Sequence, residues 1–347
     1  MAEITTKQVV DYLLTIQGQI VTLDKMRSEL HIEKWVRDGN GNQVISKSFD
    51  GIRNIVHQLL ERKTDKILKV LSRGEYKVIK QVVPVKVFGE PISDPINLVF
   101  PRDRNTESEL DFAQDITFRE GDLIVIAGVT NFGKTLLCMN FLAENLDKNP
   151  VLMGNEYTNL DGKPSARLLQ NIEHMPWAPW RYDDGGETFT LLPVREDYAE
   201  HVIPDRLNII DWINLDEGNW YMIGSVMEGI KRQLGRGIGI VAIQKSQYAE
   251  AGRGGQFTQD FADCELQINR LGETNEALLR IGKVKEPKRR VMGRTFAYTM
   301  SNGVDITNFR EVDRCRACWG KGWRGTTPCK ECDKTGYRDK VVAREPF

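Results

Sequence analysis

No apolar run in this 347-residue chain approaches the roughly 20 residues that cross a bilayer as a helix, so a helical membrane span is not expected. The stretch MAEITTKQVV also lacks the apolar core of a signal peptide, and a cytoplasmic setting with reduced thiols is the expectation. Net charge is almost absent: 48 Lys and Arg stand against 49 Asp and Glu. The balance hides an uneven spread. Residues 1–90 hold 15 basic and 11 acidic side chains, net +4, and residues 282–347 hold 16 and 8, net +8, which leaves the middle at net −13. Basic ends around an acidic middle suit ends that touch a polyanion, although +4 is also ordinary surface charge. Cysteine is scarce, with six residues. Cys138 and Cys264 fall in apolar contexts that suit burial; the other four are grouped near the C-terminal end.

What is present is organised around Gly121–Thr135, GDLIVIAGVTNFGKT. Leu123-Ile124-Val125-Ile126-Ala127 reads as a buried strand of a parallel sheet. Gly128-Val129-Thr130-Asn131-Phe132-Gly133-Lys134-Thr135 then fits G-x-x-x-x-G-K-S/T, and Leu136 to Asn145 has a helical pattern. Strand, glycine loop and helix start form an anion site, in which backbone N–H groups and the helix dipole cradle phosphates. Lys134 can reach β- and γ-phosphates, and the Thr135 hydroxyl can hold Mg²⁺. An ATP site is the expectation.

Ahead of it, residues 1–85 read as a small helical domain with helices from Thr6 to Leu14, Leu23 to Leu30 and Phe49 to Arg62, then a hairpin around Ser72-Arg73-Gly74-Glu75. This resembles a winged helix-turn-helix. Its third helix would offer Arg53, Asn54, His57 and Gln58 to DNA, and its wing Lys69, Arg73 and Lys77 to phosphates. A module for protein contact is the other reading. Residues 86–107, broken by Pro91, Pro95 and Pro101, read as a linker, and residues 108–310 as the core. Further strands are expected at Pro150–Glu156, Leu207–Asp211, Ile238–Gln244, Cys264–Ile268 and Ala277–Val284, with helices between. The aromatic-rich stretch 174–200 is either a loop or hairpin insertion whose aromatics stack on bases, or a minicore packed on the core domain. Strand–helix alternation gives an α/β doubly wound parallel sheet, whose ligands bind at the strands' carboxyl ends. Lys134, Glu156, Asp211 and Gln244 all lie there.

This constellation resembles the RecA/DnaB superfamily, above all the motor domain of DnaB-type replicative helicases. The phosphate loop matches at its glycines, Lys134 and Thr135. Glu156 matches the family's catalytic carboxylate, Leu207–Leu215 its Walker B strand, and Gln244 its γ-phosphate sensor. Gln259–Asp263 resembles its E-Q-D-A-D segment, and Lys283-Val284-Lys285 its K-x-R. The resemblance implies that Glu156 polarises the attacking water, that Asp211 joins Thr135 in holding Mg²⁺, and that Lys283 or Lys285 acts on a neighbouring subunit's nucleotide. A homo-oligomeric ring or filament follows, with DNA met by Lys245 and Arg253 in the glycine-rich stretch after Gln244. Two departures stand out. Lys285 replaces the usual Arg, which loses bidentate recognition, and the helicases' usual N-terminal helical domain is replaced.

In the tail, Cys315-Arg316-Ala317-Cys318 and Cys329-Lys330-Glu331-Cys332 are two C-x-x-C pairs ten residues apart. Four thiolates so arranged close a structural zinc site. The motif resembles two of the four copies in DnaJ-type zinc fingers, the second copy lacking a glycine. Residues 311–347 are thus expected to be a Zn²⁺ finger and tail, contacting nucleic acid or protein. The expected protein is a helicase or translocase on single-stranded DNA, with a RecA-like recombinase or mediator and an ATP-dependent DNA-binding regulator as rivals.

Overall fold

The computed structural model describes residues 4–82, 88, 94–213, 222–245 and 256–340. The chain divides into two compact units, Met1–Pro91 and Ile92–Phe347.

The first unit runs α1 (Thr6–Thr15), β1 (Ile20–Thr22), α2 (Leu23–Glu29), β2 (Trp35–Arg37), β3 (Gln43–Ile45), α3 (Lys47–Glu61), β4 (Leu68–Ser72) and β5 (Glu75–Val78). Thr5 caps α1 through a reciprocal capping box with Gln8. Thr22 and Ser46 cap α2 and α3 in the same side-chain-to-backbone manner. The polar stretch 38–42 joins a hairpin, β2 to β3, because Asp38 Oδ1 accepts from the N–H groups of Asn40 and Asn42 at 2.9 and 2.8 Å. Ile52, Ile55, Val56 and Leu59 of α3 bury one face against Leu13, Met26, Leu68 and Val78. Strands β1, β5 and β4 form an antiparallel sheet in that order.

The second unit opens with a short hairpin, β6 (Arg102–Asp103) and β7 (Ser108–Glu109), and then β8 (Leu123–Gly128) and α4 (Lys134–Glu144). There follow β9 (Val151–Met153), α5 (Ala166–Glu173), β10 (Thr190–Leu192), α6 (Tyr198–His201), β11 (Leu207–Ile210), α7 (Ile223–Gln233), β12 (Ile238–Gln244) and α8 (Gln256–Phe261). The chain then runs through β13 (Cys264–Arg270), β14 (Glu276–Val284), β15 (Thr295–Ser301), β16 (Asp305–Arg314), the small hairpin β17 (Trp323–Arg324) and β18 (Thr327–Pro328), and β19 (Tyr337–Asp339).

Ten of these strands form one mixed sheet, in the order β10-β9-β11-β12-β8-β13-β14-β15-β16-β19. The first six pair in parallel, and β14, β15, β16 and β19 extend the sheet antiparallel. All six residues of β8 are buried. Ile124 and Ile126 face a core with α4, and Leu123, Val125 and Ala127 face one with α6 and α7. Each such aliphatic side chain contributes about 2 kcal/mol relative to exposure. Leu98 and Phe100 are buried in the first of these cores, so the second unit takes in part of the stretch assigned to a linker.

The stretch 174–200 supplies an edge strand, β10, which escapes a sequence reading because it has only three residues. Its aromatics are largely structural. Trp180 and Phe189 meet edge-on at 5.8 Å, and Trp177 stacks on the Arg104 guanidinium. Among the described residues, no helix is long and apolar enough to cross a membrane.

Candidate functional site

The parallel half of the sheet dictates where side chains can converge. Gln244 ends β12 in register with Gly128, the last residue of β8. Asp211 and Glu156 follow β11 and β9 on the same carboxyl edge. Strand β8 lies between β12 and β13, at the point where the chain's path across the sheet changes direction, and a crevice forms there. The result is a cleft of about 550 Å³ bordered by Thr130, Lys134, Thr135, Glu156, Asp211 and Gln244, among others.

The loop between β8 and α4 needs two left-handed residues, Asn131 at φ 63° and Gly133 at φ 90°. A Cβ on Gly133 would stand 2.9 Å from Met300 Sδ and 3.0 Å from Tyr298 Oη, so glycine is required both for conformation and for space. Lys134 Nζ donates to Val129 O of its own loop at 3.0 Å. Burial pulls its ammonium below the ordinary lysine pKa, with Asp211 and Glu156 among the groups that oppose the shift. Gln244 Nε2 donates to Thr130 Oγ1 at 2.8 Å, which ties the end of β12 to the loop.

Three partners at this site were not legible in the sequence. Tyr157 Oη donates to Asp211 Oδ2 at 2.7 Å across 54 positions of sequence, and both residues are buried. Burial, then the Asp211 charge, pushes the Tyr157 hydroxyl well up, so it stays a donor. Arg167 of α5 pairs with Glu156 Oε2 at 3.2 Å, in a bridge open to solvent. Tyr298 is fully buried beside Gly133, and its hydroxyl has no partner among the described residues.

Asp211 Oδ1 is also buried and has no N–H or O–H partner among the described residues. Oδ2 is taken by Tyr157 and the buried Cys138 thiol also meets this carboxylate, so a cation or its bound water would replace a contact there, and Thr135 borders the same cleft. This donor set fits Mg²⁺, a hard ion that takes oxygen ligands.

Lys283 and Lys285 are not in this cleft. Lys283 Nζ donates to Gln259 O at 2.6 Å, and Lys285 Nζ pairs with Asp263 Oδ1 at 3.0 Å. Asp263 also accepts from the Leu123 N–H at 2.8 Å, so this pair sits at the amino end of β8, opposite the loop. Lys245 is 3 % exposed, with its backbone N–H bonded to Gly128 O. Arg253 lies outside the described residues. Arg53 and Arg73 are exposed in the first unit, and Arg53 pairs with Asp50 at 3.3 Å.

The four clustered cysteines come together. Their Sγ atoms all lie within 4.8 Å of one another, with Cys315–Cys329 at 3.9 Å and Cys318–Cys332 at 3.6 Å. Tetrahedral Zn–S bonds of about 2.3 Å require sulfurs about 3.8 Å apart. The Gly322 and Gly336 N–H groups donate to Cys318 and Cys332 Sγ at 3.3 Å each, as suits thiolates. This buried group could hold a metal ion such as zinc. No protein-family model matches the chain, and no curated protein matches it.

Proposed function

We propose that this chain is an ATP-hydrolysing motor of the RecA/DnaB kind that works on single-stranded DNA as a helicase or translocase, in a homo-oligomeric ring or filament. One observation carries the reading: a glycine loop with Lys134 and Thr135, two carboxylates and a glutamine border a single cleft at the carboxyl edge of the parallel half of the sheet.

In this reading the N–H groups of residues 129–135 and the start of α4 hold the phosphates. Lys134 leaves the Val129 carbonyl for the β- and γ-phosphates and balances charge as it develops. Glu156, exposed in the cleft, takes the proton of the attacking water. Gln244, already bonded to Thr130, reports the presence of the γ-phosphate to the end of β12. Thr135 and Asp211 would hold Mg²⁺, which supplies charge neutralisation at the β and γ oxygens when bound. Lys283 and Lys285 lie toward the amino end of β8, away from this loop, and in this reading either would act on a neighbouring subunit's nucleotide. The first unit would serve as a winged-helix-like DNA contact through Arg53 and Arg73. Zn²⁺ on Cys315, Cys318, Cys329 and Cys332 would be structural, since four sulfurs leave no open position.

Hydrolysis assays on wild type, Lys134→Ala and Glu156→Gln test the chemistry. Both variants should fall by about 100-fold or more, as expected for loss of a general base or of charge stabilisation. Glu156→Gln should still bind nucleotide. Normal hydrolysis by Glu156→Gln would remove Glu156 from this role.

A further inference from the structure

Beyond β8 the sheet is covered unevenly. One face of β13 to β16 packs on the aromatic core through Leu266, Ile268, Leu279, Ile281, Phe296 and Tyr298. The residues that alternate with these point the other way, and several are polar or cationic: Gln267, Asn269, Arg280 and Arg314 line a cleft of about 750 Å³. This cleft begins at Thr130, Phe132 and Gln244 of the candidate nucleotide site and ends at Gly320, Lys321 and Thr335 of the cysteine knuckle. A second cleft of about 760 Å³ continues it, sharing Arg280, Arg314 and Tyr337 and reaching Arg290.

The first cleft is the cationic part of this trough. In the second, Arg294 pairs with Asp111, Asp115 and Glu311, as elsewhere Arg310 does with Glu276 and Asp339 and Arg104 with Glu107 and Glu144. Arg290, Arg314 and Lys321 have no ion pair among the described residues, and no carboxylate lines the first cleft, whereas Asp115, Glu311 and Asp313 line the second. Arg280 is half-buried and interacts electrostatically with the buried Glu265 carboxylate. Glu265, fully buried, lies on the same face as Gln267 and is held by Gln259 and Gln267 at 3.0 and 2.9 Å. Phe132 and Tyr337 present rings along the path, and Arg270 lies over the Phe132 ring at 5.9 Å.

The knuckle wall is fixed in place. Strand β19 pairs with β16, and the β13–β14 turn is pressed on the knuckle so closely that a Cβ on Gly272 would stand 2.8 Å from Lys334 O. Unpaired cations in a trough with aromatic rings match a phosphodiester backbone with unstacked bases.

We propose that this trough seats single-stranded nucleic acid, laid over the polar face of β13–β16 between the phosphate loop and the cysteine knuckle. The inference rests on the nucleic-acid half of the functional reading and gives that partner a place. A strand there touches the loop carrying Thr130 and Gln244, so nucleotide state and strand grip share residues.

The test is anisotropy of fluorescein-labelled oligo(dT) and oligo(rU), about 20 nucleotides long, on the full chain. Binding of a fluorescent ATP analogue is read in the same samples. Wild type is compared with Arg280→Gln/Arg314→Gln and with Arg290→Gln/Lys321→Gln, the latter two both exposed. Both variants should bind oligonucleotide about tenfold or more weakly, with the salt slope reduced by about 0.7 per lost contact. Binding of the ATP analogue should stay within about twofold, since neither pair borders the nucleotide cleft. Tight wild-type binding that Arg290→Gln/Lys321→Gln leaves undiminished, salt slope included, overturns the trough while the motor reading stands. A wild type that binds neither oligonucleotide overturns both.

Discussion

Asp211 shows how much of the site depends on a residue that spacing does not reveal. Its place after an apolar strand is legible, as are those of Glu156 and Gln244, because a buried parallel strand is a continuous apolar run and its next polar residue marks the carboxyl edge. The Tyr157 hydroxyl that fixes its rotamer is not, since the two residues meet only when β9 and β11 pair. Tyr157→Phe removes a hydrogen bond to a buried carboxylate and should cost about 2 kcal/mol in urea unfolding. An unchanged midpoint would mean that the bond contributes nothing net. Gly133→Ala meets both a left-handed backbone and the Met300 sulfur, and should cost about 2 kcal/mol or more. A melting temperature equal to wild type would contradict the packing described for the loop.

At the scale of elements, the major strands follow from apolar runs. The three-residue β10 and the antiparallel extension through β19 do not, because short or half-exposed strands carry weak patterns. The junction of β8, β13, β14 and α7 is held by Asp263. Burial opposes its ionisation, but Lys231 (through a direct hydrogen bond), the Leu123 N–H and Lys285 together hold its carboxyl below the ordinary value. A depressed carboxylate pKa stabilises the fold at pH values above the unfolded-chain value, and the contribution is lost as pH falls through the folded value. Stability should therefore decline below about pH 4. Asp263→Asn should cost about 3 kcal/mol at neutral pH and flatten that acid limb. Equal acid sensitivity in the variant would assign the limb to other carboxylates.

At the scale of the whole molecule, the cysteine cluster and the motor reading make separate claims. The paired C-x-x-C spacing made the cluster legible, because two knuckles can present four thiolates to one ion. What the spacing could not give was the docking of that knuckle on the sheet through β19, which depends on a turn at Gly272 far away in sequence. Chelator and a metallochromic dye should release about one zinc per chain, and Cys318→Ser should release none. A purified chain free of zinc, with all four thiols reactive, would contradict the assignment.

The central claim is that hydrolysis at the Lys134 cleft is geared to a nucleic-acid strand. Its most direct test is the ATPase rate of the wild type with and without single-stranded DNA. Stimulation of about tenfold, within the range of ordinary coupling energies, and its loss in Lys134→Ala are the predicted result. Robust hydrolysis that ignores DNA would contradict the motor and leave a nucleotide-dependent regulator in its place.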